Sequence, residues 1–69
     1  MPIYLAKEYE ERTILQITGN DEIRMHLKNL GFTVGEKIMV LQKVNSNIIV
    51  KIKGISIAIG RDLAKRILV

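Results

Sequence analysis

The chain has 69 residues, 48% of them apolar, no cysteine, and a formal charge of +4. That length holds one small domain over 1–69, and ordering it costs on the order of 100 kcal/mol, so the core must be dense. Without cysteine, disulfides and thiolate zinc sites are excluded, which suits a reducing compartment.

The first eight residues read as an extended or weakly structured lead-in, with Pro2 disfavouring helix at Met1. From Arg12 to Thr18 the residues Thr13, Ile14, Leu15 and Ile17 favour a strand, and Gly19-Asn20 ends it. The period then changes: Ile23, Leu27 and Leu30 recur at i, i+4 and i+7, one apolar stripe on a short helix over about 21–30. Asn20 or Asp21 suits its N-cap, Glu22 and Lys28 complement its dipole, and Gly31 suits the position after its last turn. Phe32 and Val34 offer exposed docking residues, but a phenylalanine after such a glycine more often folds back as an apolar cap, so both are assigned to the core.

After a turn at Thr33-Val34-Gly35, the remainder reads as strand. Glu36 to Val44 places Ile38, Val40 and Val44 on one face, with Lys37 and Lys43 on the other. Asn45-Ser46-Asn47 supplies a tight turn. Ile48, Val50 and Ile52 alternate with Ile49, Lys51 and Lys53, and Lys53-Gly54 suits a two-residue hairpin. Ile55, Ile57 and Ile59 alternate with Ser56, Ala58 and Gly60. Asp62 caps a helical turn through Lys65, and Ile67-Leu68-Val69 forms a last strand. About five strands with one inserted helix, and a helical turn before the final strand, predict a mainly β chain closed into a small barrel.

Charge is unevenly distributed. Up to Ile23 two cations face five carboxylates, a net −3; from Arg24 onward nine Lys/Arg face only Glu36 and Asp62, a net +7. Such asymmetry suits an acidic protein, an anionic membrane surface or nucleic acid, whereas simple alternation makes the same lysines solvated strand faces. Nucleic acid is the weaker match, because single-strand binders stack bases on aromatics and only Tyr4, Tyr9 and Phe32 are present. The most apolar stretch, Ile48 to Ile59, is interrupted by Lys51, Lys53 and Gly54 and falls short of a spanning helix. No signal-peptide pattern opens the chain, so the expected location is the cytoplasm.

Chemistry-bearing motifs are sparse. One histidine and no cysteine leave no nucleophile-base-orienter set, so no catalytic residue is assigned and the chain is not expected to be an enzyme. Gly31-Phe32-Thr33-Val34-Gly35-Glu36-Lys37 fails as a phosphate loop: the spacing is one short and Glu36 intrudes. Ile38 also replaces the magnesium-binding Ser/Thr, and the segment leads from helix into strand. Glu22 and His26 lie one helical turn apart and could offer two ligands to a transition metal, but a closed zinc site needs four. A solvated pair is the plainer reading. No cofactor is required by any pattern. Arg24 and Lys28 form a second, basic i, i+4 pair; with Lys51 and Lys53 they are the exposed positions available to a partner.

Arg24-x-x-Leu27-x-x-Leu30-Gly31-Phe32-x-x-Gly35, followed by two strands and a glycine hairpin, resembles the FeoA family. The tail Gly54-Ile55-Ser56-Ile57-Ala58-Ile59, then Arg61-Asp62-x-Ala64-x-x-Ile67-x-Val69, is similar to its closing signature. With Ile14, Ile17 and Gly19, the likeness covers nearly the whole chain beyond residue 10. It implies an SH3-like barrel and a non-catalytic cytoplasmic accessory of the FeoB ferrous-iron transporter, a membrane protein with a cytoplasmic GTP-hydrolysing domain. Location at the inner face of the membrane would then come through that partner, with no small-molecule substrate. The resemblance casts Leu27, Leu30, Gly31, Phe32, Gly35, Gly54, Ala58 and Ala64 as residues of fold. Departures are Val34 where proline is common, Gly60 where a basic residue often sits, and Leu63 where glutamate is frequent. A glycine expected ahead of the first strand has no match in Tyr9-Glu10-Glu11-Arg12. A similar domain ends the DtxR-type metal-dependent repressors; this length excludes a complete repressor.

Overall fold

The computed structural model describes residues 1–69, arranged as six strands in two sheets with two helices. The four-stranded sheet has the order β1 (Glu11–Thr13), β3 (Lys37–Val44), β4 (Asn47–Ile52), β5 (Ile55–Gly60), all antiparallel. The second sheet pairs β2 (Gln16–Ile17) with β6 (Ile67–Leu68). Helix α1 spans Asp21–Asn29 and the single turn α2 spans Arg61–Ala64. No helix is long and apolar enough to cross a membrane.

The segment expected as one strand from Arg12 to Thr18 divides because its partners change. Thr13 pairs with Lys37 of β3; Ile14 then donates to the Glu36 carbonyl at 2.9 Å and accepts from Gly35 at 2.8 Å. Leu15 donates to Leu68 and Thr18 to Arg66, both at 2.8 Å, in the other sheet. One extended run thus forms a corner between two sheets, which places Ile14 in the core.

The lead-in is not loose. A 3-10 turn, Ile3–Leu5, buries Ile3 and Ala6 completely, Pro2 bridges Leu68, and the Met1 ammonium donates to the Val69 carbonyl at 2.8 Å. Apolar burial and backbone pairing to β6 offset the entropy of ordering it. Tyr9 adopts φ +63 ahead of β1 while its N–H reaches the Val40 carbonyl at 2.7 Å. The left-handed residue that glycine would fill more readily is therefore a tyrosine.

Helix α1 follows its stripe. The Asn20 side chain accepts from the Ile23 N–H at 2.8 Å, making Asn20 the cap, and Leu27 is fully buried with Ile23 and Leu30 packed partly against the core. The hairpin between β4 and β5 has Lys53 at φ +52 and Gly54 at φ +78, the pair of positive values a two-residue turn of this twist demands. Asp62 does not cap α2: the cap is Gly60, without a side-chain bond, and Asp62 faces Lys65 at 3.9 Å in the first turn.

The strand β3 departs from simple alternation. Its register with β4 shifts between Val40 and Gln42, so one residue is inserted and everything beyond changes face. Val44 is consequently exposed, and Lys43 pairs with the buried Ile48 instead of lying opposite the core face. All fourteen buried residues are apolar, and the buried side-chain polar atoms without a partner are the Nε atoms of Arg12 and Arg66.

Candidate functional site

The exposed cations of the surface fall into separate groups. Arg24 and Lys28 sit a turn apart on the solvent face of α1, where Arg24 contacts Asp21 at 3.7 Å and Lys28 has no ionic partner. Beside them a shallow concavity of about 250 Å³ is lined by Ile17, Phe32, Thr33 and Val34. Here the two apolar residues after the helix separate: Phe32 is 1% exposed and seals the core, whereas Val34 is 65% exposed. The assignment of Val34 to the core is corrected. The Glu36 N–H closes a turn onto the Thr33 carbonyl at 3.1 Å, and Val34 stands at the tip of that turn. The result is an apolar knob flanked by two cations.

Lys51 and Lys53 form a second group on the outer face of the four-stranded sheet. The register sets Lys51 beside Met39 and Ser56, and Lys37 beside Thr13. These lysines, with Glu11, Glu36 and Met39, line a concavity of about 310 Å³. Lys53 lies 3.9 Å from Glu36, an exposed pair worth well under ~1 kcal/mol, and Lys51 has no ionic partner. The structure therefore brings Arg24 together with Lys28, and Lys51 together with Lys53, in two concavities with no lining residue in common.

A third cationic group was invisible in the sequence. The Tyr4 ring lies 4.7 Å from the Arg61 guanidinium and 5.7 Å from the Lys43 ammonium, both within cation–π range. The bulge in β3 turns Lys43 to that side and the lead-in supplies the ring, so no local pattern announces the cluster.

Glu22 and His26 are both exposed on α1, along a shallow depression with Asp21, Met25 and Asn29. No group of three or more His, Cys, Asp or Glu side chains is placed to hold a metal ion. The pair offers at most two protein ligands, with any other position left to water. Leu30 is half-buried and Ala64 fully buried, in keeping with roles in the fold, while Gly31 and Gly35 both have positive φ. Ala58 is exposed on the outer face of β5.

Comparison with known proteins gives one consistent result. The family model described as the FeoA domain matches residues 1–69. The chain is similar to a Methanocaldococcus jannaschii protein named for Fe(2+) transport, protein A, at 37% identity over 68 residues, covering 99% of this chain and 83% of the relative. Among solved structures, an iron uptake regulatory protein, FeoA, superposes with a TM-score of 0.89 at 29% identity, over 97% of this chain and 91% of its own. Stenotrophomonas maltophilia FeoA, solved with zinc and described as a prokaryotic SH3 domain protein, superposes with a TM-score of 0.84 at 22% identity, over 99% and 87% of the two chains. The last likeness bears on the fold, which is an SH3-like barrel.

Proposed function

The chain belongs to the FeoA family of small accessory iron-transport proteins, and on that premise we propose that it binds the cytoplasmic GTPase region of a FeoB-type ferrous-iron transporter and modulates iron uptake. The observation that carries this reading is the match of the FeoA model to every residue of the chain. Its chemistry is that of a binding module: a sealed apolar core, no buried acid or base, and exposed cations available to an acidic or membrane-proximal surface. The chain works in the cytoplasm and reaches the inner face of the membrane through the transporter.

Two contact surfaces support the choice of docking residues. In the turn after α1, Val34 supplies an apolar anchor beside Arg24 and Lys28, the combination of a dry centre and a charged rim that interfaces favour. On the sheet, Lys51 and Lys53 contribute charge that accelerates encounter more than it deepens affinity. The test is a titration of the purified cytoplasmic region of the transporter with the parent chain and with Arg24→Glu, Lys28→Glu, Lys51→Glu and Lys53→Glu. Reversal on the docking surface weakens binding while thermal stability stays nearly constant. Equal binding by all four variants removes these residues from the interface, and no binding by the parent removes the partner.

A further inference from the structure

The barrel leaves β5 with a free edge, and that edge has none of the features that ordinarily discourage pairing. Strands at sheet edges are protected by shortness, charge, proline or bulges. The opposite edge strand, β1, is three residues long and carries Glu11 and Arg12. By contrast β5 has six residues, Ile-Ser-Ile-Ala-Ile-Gly, and runs in unbroken register with β4. It contains no charge, no proline and no bulge.

The hydrogen-bond phase of this edge follows from the hairpin. Ile52 and Ile55 flank the two-residue turn and form the bonded pair next to it, so Ile57 and Ile59 are the other β5 residues bonded to β4. The N–H and C=O groups of Ser56 and Ala58 therefore point away from the sheet. No turn, loop or side-chain bond elsewhere in the protein reaches them. Both residues are exposed, and Ile55, at the end of the strand, is 57% exposed.

We infer that β5 pairs antiparallel with β5 of a second copy of this chain, about a two-fold axis at Ile57, joining two four-stranded sheets into one. The occupant is argued from the strand itself. Ile55-Ser56-Ile57-Ala58-Ile59 has the same pattern of large and small residues read in either direction, as an isologous interface requires. Centred on Ile57, Ser56 meets Ala58 of the other copy, and the two exchange N–H···O bonds in both directions; symmetry repeats the pair. Ile55 lies opposite Ile59 at each end, which places the most exposed isoleucine on the chain at the seam. No charge is buried at the seam. A single added strand covers less than the ~1,200 Å² typical of stable complexes, and each copy carries +4, so the dimer is weak and forms only toward millimolar concentration.

Sedimentation equilibrium from micromolar to millimolar chain, with amide hydrogen exchange by NMR across the same range, tests the inference. The expected result is a mass rising from 7.9 kDa toward twice that value, with protection appearing at the Ser56 and Ala58 amides. Ala58→Pro deletes an outward N–H without touching the β4 ladder, and it abolishes the dimer. Ser56→Lys, an exposed substitution that leaves the fold intact by circular dichroism, raises the dissociation constant by about tenfold or more. A monomer at every concentration would overturn the inference. So would a dimer that protects amides elsewhere, or one that both variants still form. Protection of the two amides arising only on adding the transporter's cytoplasmic region to a monomeric chain would also overturn self-pairing and give the edge to that partner.

Discussion

Replacing Phe32 with alanine separates packing from docking at the turn after α1. The ring is 1% exposed, and the Phe32 N–H donates to the Leu27 carbonyl at 3.0 Å, which holds the residue under the helix. Truncating a fully buried phenylalanine costs about 3–5 kcal/mol through lost transfer energy and the cavity left behind. A chain of this length has only roughly 3.5–10 kcal/mol of total stability at ~0.05–0.15 kcal/mol per residue. The substitution therefore removes about 30% of the stability or more, and lowers the melting temperature by over ~10 °C. Urea titration followed by circular dichroism measures the change as a shift in midpoint at constant slope. The control is Val34→Asp two residues on, where the side chain is 65% exposed and stability changes by under ~0.5 kcal/mol. On the proposed docking, the order reverses in binding to the transporter's cytoplasmic region, where the exposed Val34 side chain is the anchor. A cost below ~1.5 kcal/mol for Phe32→Ala, with Val34→Asp equally destabilising, would refute the division of these residues into seal and knob.

Asn20→Ala removes the cap on the Ile23 amide and lowers stability by about 1 kcal/mol in the same urea assay, while Asn20→Asp retains it. Gly19→Ala is strained at φ +114 and sets a methyl 3.1 Å from the Ile23 side chain, so thermal melting shows a loss of about 1–3 kcal/mol. Tyr9→Gly relieves a left-handed tyrosine, and the melting temperature is unchanged or higher. If the lysines serve protein contact rather than phosphate, fluorescence anisotropy with single-stranded oligonucleotides at low salt shows no binding; a steep salt-dependent affinity would bring the nucleic-acid reading forward.

Local signals sufficed for most elements. The 3.6-residue stripe Ile23, Leu27, Leu30 and the alternation through Ile48–Ile59 report periodicity, which depends only on near neighbours in sequence. Asn20, Gly31 and Lys53-Gly54 report backbone conformations that few residues adopt, so the helix ends and the hairpin were legible too. The count of short strands pointed to a small closed barrel, and the family likeness, carried by the order of these same residues, made it SH3-like.

Tertiary structure decided what depends on partners distant in sequence. An apolar pair such as Ile3 and Ala6 carries no period, and only docking against the rest of the barrel makes it core. The run from Arg12 to Thr18 is extended throughout, yet its division into β1 and β2 follows from which strand lies beside it. The bulge after Val40 inverts Lys43 and Val44 because an inserted residue changes face without changing strand propensity. For the candidate site, sequence identified the cations and paired Arg24 with Lys28 on the helix and Lys51 with Lys53 on one strand face, but their surroundings came from register and packing: Val34 beside the helix pair, Glu11, Glu36 and Lys37 beside the strand pair, and Lys43 and Arg61 around Tyr4. Charge is a property of the residue, whereas a surface belongs to the fold.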